Sequence, residues 1–230
     1  MSTAQLERPA GKAGQTFNVQ RIVFHAVDWG NYLKFLEAVG NRRVRLTYDR
    51  GTLEIMTIGG IHEWWKRRIG FLLPILGREL GKSIQGLGST TLRREDVAKG
   101  LEPDEGFYVA RGEQMAGPMD IDLSRDPPPD LGLEIDICAS SLDRMDIYAA
   151  LGVGEVWRFD GEDLRVFRLQ QSGSYEQTDR SVHFPTLPLA GFVQFLRATQ
   201  RLTEDALIEP FQEWVRGTVI PGTAPNGNDA

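Results

Sequence analysis

One mixed α/β domain is what this sequence predicts, and three observations predict it. Apolar residues recur at helical spacing across residues 29–39 and 61–80. Alternating stretches joined by short Gly- and Asp-containing turns, at 43–56 and 155–169, read as β-hairpins. The order helix, hairpin, helix, strands, helix, hairpin, helices interleaves the two kinds of element along one chain.

Each element has its own signal. Residues 1–14 have tail composition, and a flexible N-terminal segment is expected to reach residue 17. Trp29, Tyr32, Leu33, Leu36 and Val39 share one helical face, and Gly40 ends that helix. Residues 43–48 alternate, turn at Asp49-Arg50-Gly51 and return over 53–56. The next helix, 61–80, contains Pro74, which predicts a kink or a break, and Gly81 is its stop. Residues 84–94 read as a strand region centred on Ser89-Thr90-Thr91-Leu92. A second strand begins near Asp104 and continues through Phe107-Tyr108-Val109. A Gly- and Pro-rich loop over 111–129 leads to an acidic strand, 130–136. Ser140-Ser141-Leu142-Asp143 opens a helix with a serine cap, and Gly152 closes it. After the second hairpin come helices over 191–198 and 203–216, then a polar tail from 217 to 230. The predicted domain therefore spans 18–216.

The acidic strand is the strongest functional lead. Asp130-Leu131-Gly132-Leu133-Glu134-Ile135-Asp136 alternates acid or glycine with aliphatic residues. Successive strand side chains face opposite ways, so Asp130, Gly132, Glu134 and Asp136 share one face and Leu131, Leu133 and Ile135 the other. Three carboxylates on one face repel, and burying them unpaired is costly. A hard divalent cation with oxygen ligands would remove that cost. The plainer alternative is an edge strand with a solvated acidic face. Upstream, Glu102-Pro103-Asp104 puts Asp104 at the start of a strand. If the two strands are neighbours, Asp104 and Glu134 can share one cation, the arrangement that phosphodiester hydrolysis uses. On this reading, removing either acid does not lower metal-free stability and can raise it, because repulsion is relieved.

The totals bound the rest. The 230 residues are 41% hydrophobic and 25% charged, ordinary globular composition for one large domain or two small ones. No apolar run approaches the roughly 18 residues of a membrane span. The single cysteine, Cys138, cannot form an intrachain disulfide, and a cytoplasmic setting is expected. Net charge is −6, but residues 1–100 carry 16 basic and 9 acidic side chains while 101–230 carry 10 and 23. A basic first part facing a polyanion and an acidic second part holding a metal would explain the asymmetry; chance clustering would too. Arg42, Arg43, Lys66, Arg67, Arg68, Arg93 and Arg94 are the candidates to track a nucleic-acid backbone, with Trp64 and Trp65 beside one cluster.

Pro103-Asp104 followed by Glu134-Ile135-Asp136 resembles the PD-(D/E)XK nuclease pattern. The stretches "RVRLTYDRGTLEIMT", "HEWWKR", "GSTTLRREDVAKGLEPDE", "PPDLGLEIDICASSLDRMDIYAALGVGEVWRFDG" and "FPTLPL" together resemble the Uma-type family of restriction endonucleases, over residues 18–216. The resemblance implies a restriction-endonuclease-like core, a central mixed sheet flanked by helices. It implies Mg²⁺ or Mn²⁺ as cofactor and DNA as partner, and it leaves a homodimer open. It carries Asp104 over as the motif aspartate and Glu134 as the second metal ligand. Asp136 and Asp130 extend the ligand set, and His62 and Glu63 are implied to face the site. One departure stands out: the lysine expected two residues after the glutamate is Asp136 here. The basic residue before the family's tyrosine is Arg144, four residues ahead of Tyr148. Arginine can clamp phosphate but is a poor general base. Two readings compete with a metal-dependent DNA endonuclease: a catalytically silent relative that binds nucleic acid or a partner protein, and a carboxylate-metal phosphoesterase for small substrates.

Overall fold

The computed structural model describes residues 4–7, 20–40, 42–117, 120–136, 140 and 142–220. Ile137, Cys138, Ser141 and most of both predicted tails lie outside the described residues. The chain order is β1 (Ala4–Glu7), β2 (Arg21–Phe24), α1 (Trp29–Val39), β3 (Val44–Asp49), β4 (Thr52–Thr57) and α2 (Gly60–Glu79). Then follow β5 (Gln85–Gly88), β6 (Leu92–Arg94), β7 (Lys99–Leu101), β8 (Glu105–Tyr108), β9 (Leu131–Ile135) and α3 (Arg144–Leu151). The last elements are β10 (Glu155–Phe159), β11 (Leu164–Leu169), β12 (Tyr175–Thr178), α4 (Leu189–Ala198) and α5 (Glu204–Thr218).

The mixed α/β class holds, with two six-stranded sheets rather than one central sheet. The first, ordered β1-β2-β4-β3-β7-β6, is antiparallel throughout. The second, ordered β12-β11-β10-β9-β8-β5, is mixed because α3 carries the chain from β9 to a parallel β10. A parallel pair needs such a crossover.

The acidic strand is interior, so the edge-strand alternative fails. β9 pairs antiparallel with β8 on one side and parallel with β10 on the other, and all five of its residues are buried. The predicted alternation is kept. Leu131, Leu133 and Ile135 join Trp65, Ile69, Leu72 and Trp157 in the core under α2. Gly132 faces α3: a Cβ there would come within 3.0 Å of the Tyr148 ring. α4 and α5 close the α2 side through Phe192 and Phe211. α1 covers the first sheet, where Tyr32 stacks on Tyr48 at 4.6 Å between ring centres.

Several local expectations need correction. Of the kink or break expected at Pro74, the break does not occur: α2 continues through it. The Ser89–Thr91 stretch is not a strand core but the link between β5 and β6, two strands that belong to different sheets. β2, β7 and β12 are too short to show a periodicity, and β1 pairs with β2 inside the segment read as a tail. The cap of α3 is Asp143, whose Oδ1 accepts from Met145 N and Asp146 N. Ser140 instead donates its hydroxyl to Glu54 Oε1 at 2.6 Å.

Candidate active site

Between β7 in the first sheet and β8 in the second, the chain crosses through Glu102-Pro103-Asp104. That crossing delivers Asp104 to β9. Its Oδ2 accepts from Ile135 N at 2.7 Å and lies 2.9 Å from His62 Nε2 on the first turn of α2. Its Oδ1 lies 3.7 Å from Arg45 Nε, beyond hydrogen-bond range. Burial opposes ionisation of Asp104, but the His62 hydrogen bond and charge, with Arg144 behind them, hold its pKa below the usual aspartate value. Burial also opposes the charge on His62; the Asp104 bond and charge outweigh it and raise the imidazole pKa.

Glu134 stands beside this pair. Arg144 grips it with both arms of the guanidinium, NH2 to Oε1 at 2.6 Å and Nε to Oε2 at 3.1 Å. Tyr148, one turn along α3, donates its hydroxyl to the same Oε1. Arg144 also bonds Thr47 Oγ1 at 2.6 Å and the Glu102 carbonyl at 2.8 Å, so one side chain ties both sheets together. Burial raises the Glu134 pKa, Arg144 pulls against the rise and the charge of Asp104 adds to it. Burial and the Glu134 carboxylate push the Tyr148 phenol well above its ordinary value. The predicted aim of Arg144 at the carboxylates is therefore met, at the cost of occupying both oxygens of Glu134.

Glu63 completes the near face. Its Oε1 is buried without a hydrogen-bond partner, 3.6 Å from His62 Nδ1 and 3.7 Å from Arg45 NH2. Lys66 lies 4.0 Å from Glu63 and from Glu105, and bonds Ser89 Oγ at 2.9 Å.

Of the residues singled out from sequence, His62, Glu63, Asp104, Glu134 and Arg144 come together. Asp130 does not: four strand residues, about 13 Å, separate it from Glu134. Its Oδ2 accepts from Val109 N and Ala110 N, and Arg111 pairs with Oδ1, so it fixes the end of β8. Asp136 pairs with Arg158 of β10. Each of the three acids of the strand is thus paired with an arginine, Arg111, Arg144 or Arg158. Deleting Glu134 would leave the buried Arg144 without this partner, which argues against the expectation that its removal costs no stability. Among the described residues no three His, Cys, Asp or Glu side chains are close enough to hold a metal ion as they stand.

The Uma2 family, described as "Putative restriction endonuclease", matches residues 29–199. The chain belongs to the Uma2 family. Among solved structures it is similar to a "putative nuclease belonging to DUF820" from Anabaena variabilis, 15% identical, covering 72% of this chain and 90% of that one, with a TM-score of 0.41. Among curated proteins nothing matches. The Uma2 match spans α1 to the end of α4 and so contains every side chain described above.

Arg45, Thr47 and Glu102 were not foreseen as site residues. The one available signal was the polar face of β3, where Arg45, Thr47 and Asp49 alternate with Val44, Leu46 and Tyr48. Sequence spacing could not say which sheet that face would meet. The basic track also shrinks. Arg67 pairs with Glu204, Arg94 with Asp96, and buried Arg68 bonds the Thr199 and Leu202 carbonyls. Trp65 is core against Phe159, whereas Trp64 is exposed under Arg68. Among the described residues no helix is long and apolar enough to cross a membrane.

Proposed function

We propose that this protein is a metal-dependent DNA endonuclease that hydrolyses phosphodiester bonds, with Asp104 and Glu134 as metal ligands and Mg²⁺ or Mn²⁺ as the ion. The observation that carries the reading is the meeting of these two buried acids across paired strands of a Uma2-family chain.

The donors fit a hard cation. Glu63 Oε1 is a buried acceptor with no donor, and Asp104 Oδ1 has an arginine near it but no hydrogen bond. Mg²⁺ is ordinarily held by one or two carboxylates, with waters and substrate phosphates filling the remaining positions. Two carboxylate ligands from the protein would suit that habit. The bound ion would lower the pKa of a water and neutralise charge on the scissile phosphate.

The side chains around the acids supply the remaining tasks. His62 holds Asp104 in place and favours its ionised form. Arg144 is always protonated, so it can bind a phosphate oxygen but cannot take a proton from water. Arg45 and Lys66 add positive charge where the phosphodiester enters. The test is plasmid cleavage with Mg²⁺ or Mn²⁺ against chelator. Cleavage is expected only with the metal, and is lost in Asp104→Ala and Glu134→Ala. Cleavage that survives chelator, or either substitution, contradicts the reading.

One observation favours a second reading, a silent relative that binds nucleic acid. Both oxygens of Glu134 are already taken by Arg144 and Tyr148. That reading predicts salt-sensitive DNA binding with no cleavage under any metal.

A further inference from the structure

We propose that a cavity next to the acids binds one unpaired nucleotide of the substrate strand, making single-stranded or locally opened DNA the preferred substrate. The proposal rests on the nuclease reading and names the substrate class of that same site.

The cavity is about 800 Å³, within the size range of small-ligand sites. β7 pairs with β3 from Thr47 to Asp49, and Glu102 N adds one bond to the Leu46 carbonyl, which leaves Val44 and Arg45 beyond the ladder beside the cavity. α1 walls one side with Leu33 and Leu36, and the β5–β6 link walls another with Ser89, Thr90 and Thr91. Arg42, Arg45 and Arg93 also line it, against the carboxylates of Glu37 and Glu102. Glu102 is not a free negative charge facing the cavity. Its Oε2 accepts from Leu46 N and its Oε1 from Thr91 Oγ1, and burial raises its pKa. Three guanidiniums suit a phosphate and the leucine wall suits the face of a base; the Thr90 and Thr91 hydroxyls donate to the Leu87 carbonyl and to Glu102, which leaves their lone pairs to accept from a sugar hydroxyl.

Continuity with the acids fixes which nucleotide this is. Arg45 belongs to both places: Nε faces Asp104 Oδ1 at 3.7 Å while NH2 bonds Ser89 Oγ at 2.8 Å. Glu102 likewise lines the cavity and gives its carbonyl to Arg144. A phosphodiester at Asp104 would therefore place its neighbouring nucleotide at the mouth. A base stacked in a duplex cannot turn into such a cavity, whereas an unpaired one can, and extruding it from a duplex costs unstacking energy.

The test compares a single-stranded oligonucleotide carrying 2-aminopurine with the same sequence as a duplex. Binding is measured in chelator, so that it does not depend on turnover. Wild type should bind the single strand at least about tenfold more tightly than the duplex, with a change in 2-aminopurine emission on binding. Thr90→Trp, which fills the cavity, and the surface double variant Arg42→Ala/Arg93→Ala should each weaken single-strand binding about tenfold and leave duplex binding little changed. Equal affinity for the two forms, or single-strand binding untouched by both variants, overturns the proposal. Cleavage is read separately: cavity-dependent binding without metal-dependent cleavage keeps the cavity and removes the nuclease reading. Cleavage indifferent to both variants does the reverse.

Discussion

Glu155 and Glu134 sit on neighbouring parallel strands, both buried, and they are held in opposite ways. Glu155 is wrapped by neutral donors: Trp157 Nε1, Ser181 Oγ and Val182 N all reach it at 2.6 Å. The bonds from Ser181 and Val182 fasten the segment after β12 onto β10. Glu134 is held by a guanidinium and a phenol, with the charge of Asp104 beside it. The first arrangement is complete within the protein. The second is balanced by a cationic side chain, and a cationic side chain can share its place with another cation. The two buried glutamates therefore differ in the kind of partner that holds them.

Glu155→Ala should be the most damaging change. It strands two buried donors and the part-buried Val182 N–H, and a loss of about 5 kcal/mol relative to wild type is expected by chemical denaturation, the same whether the two proteins are compared with or without Mn²⁺. Arg144→Ala should cost about 3–4 kcal/mol, because it leaves Glu134 buried without its counter-charge. Here Mn²⁺ should restore part of the loss by replacing the missing positive charge. If the ion narrows the gap to wild type for neither variant, or for both, the contrast between the two glutamates is wrong.

Acidity sharpens the same contrast. The His62 pKa is raised in the folded protein, so the stability from its bond to Asp104 is fully present below the ordinary histidine value and lost as pH rises through the folded one. Metal-free wild type should lose about 1–2 kcal/mol across that window and His62→Gln should not, by denaturant titration at a series of pH values. Metal binding should run the other way. The raised Glu134 pKa and the protonated His62 both make protons compete with the ion, so the Mn²⁺-induced rise in Tm should be larger at pH 8 than at pH 6. That last effect is the smallest of the set.

The long elements were legible because their periodicity is strong. α1, the β3–β4 hairpin and the β10–β11 hairpin lie where apolar spacing puts them. The three-residue strands β6 and β7 carry too few residues for a period, and they are what divides the chain into two sheets. Asp104, Glu134 and Arg144 were legible from the resemblance, and the alternation around Glu134 located its face. What stayed hidden was the pairing of each strand acid with its own arginine. Arg158 is two strand residues from a predicted turn and Arg111 lies in a loop, so nothing local ties either to the acid it meets. Arg45 was hidden for the same reason, since its partners come from α2, the β5–β6 link and the start of β8.

The central claim is that Asp104 and Glu134 hold a divalent ion while Glu155 is structural. Thermal melts of wild type, Asp104→Ala, Glu134→Ala and Glu155→Gln, each with and without Mn²⁺, test it most directly. At an ion concentration about 100 times its Kd, linkage stabilises the binding-competent protein by about 2.7 kcal/mol. Wild type and Glu155→Gln should both show a clear rise in Tm, and Asp104→Ala and Glu134→Ala should show little or none. Equal rises in all four proteins, or none in wild type, would contradict the account.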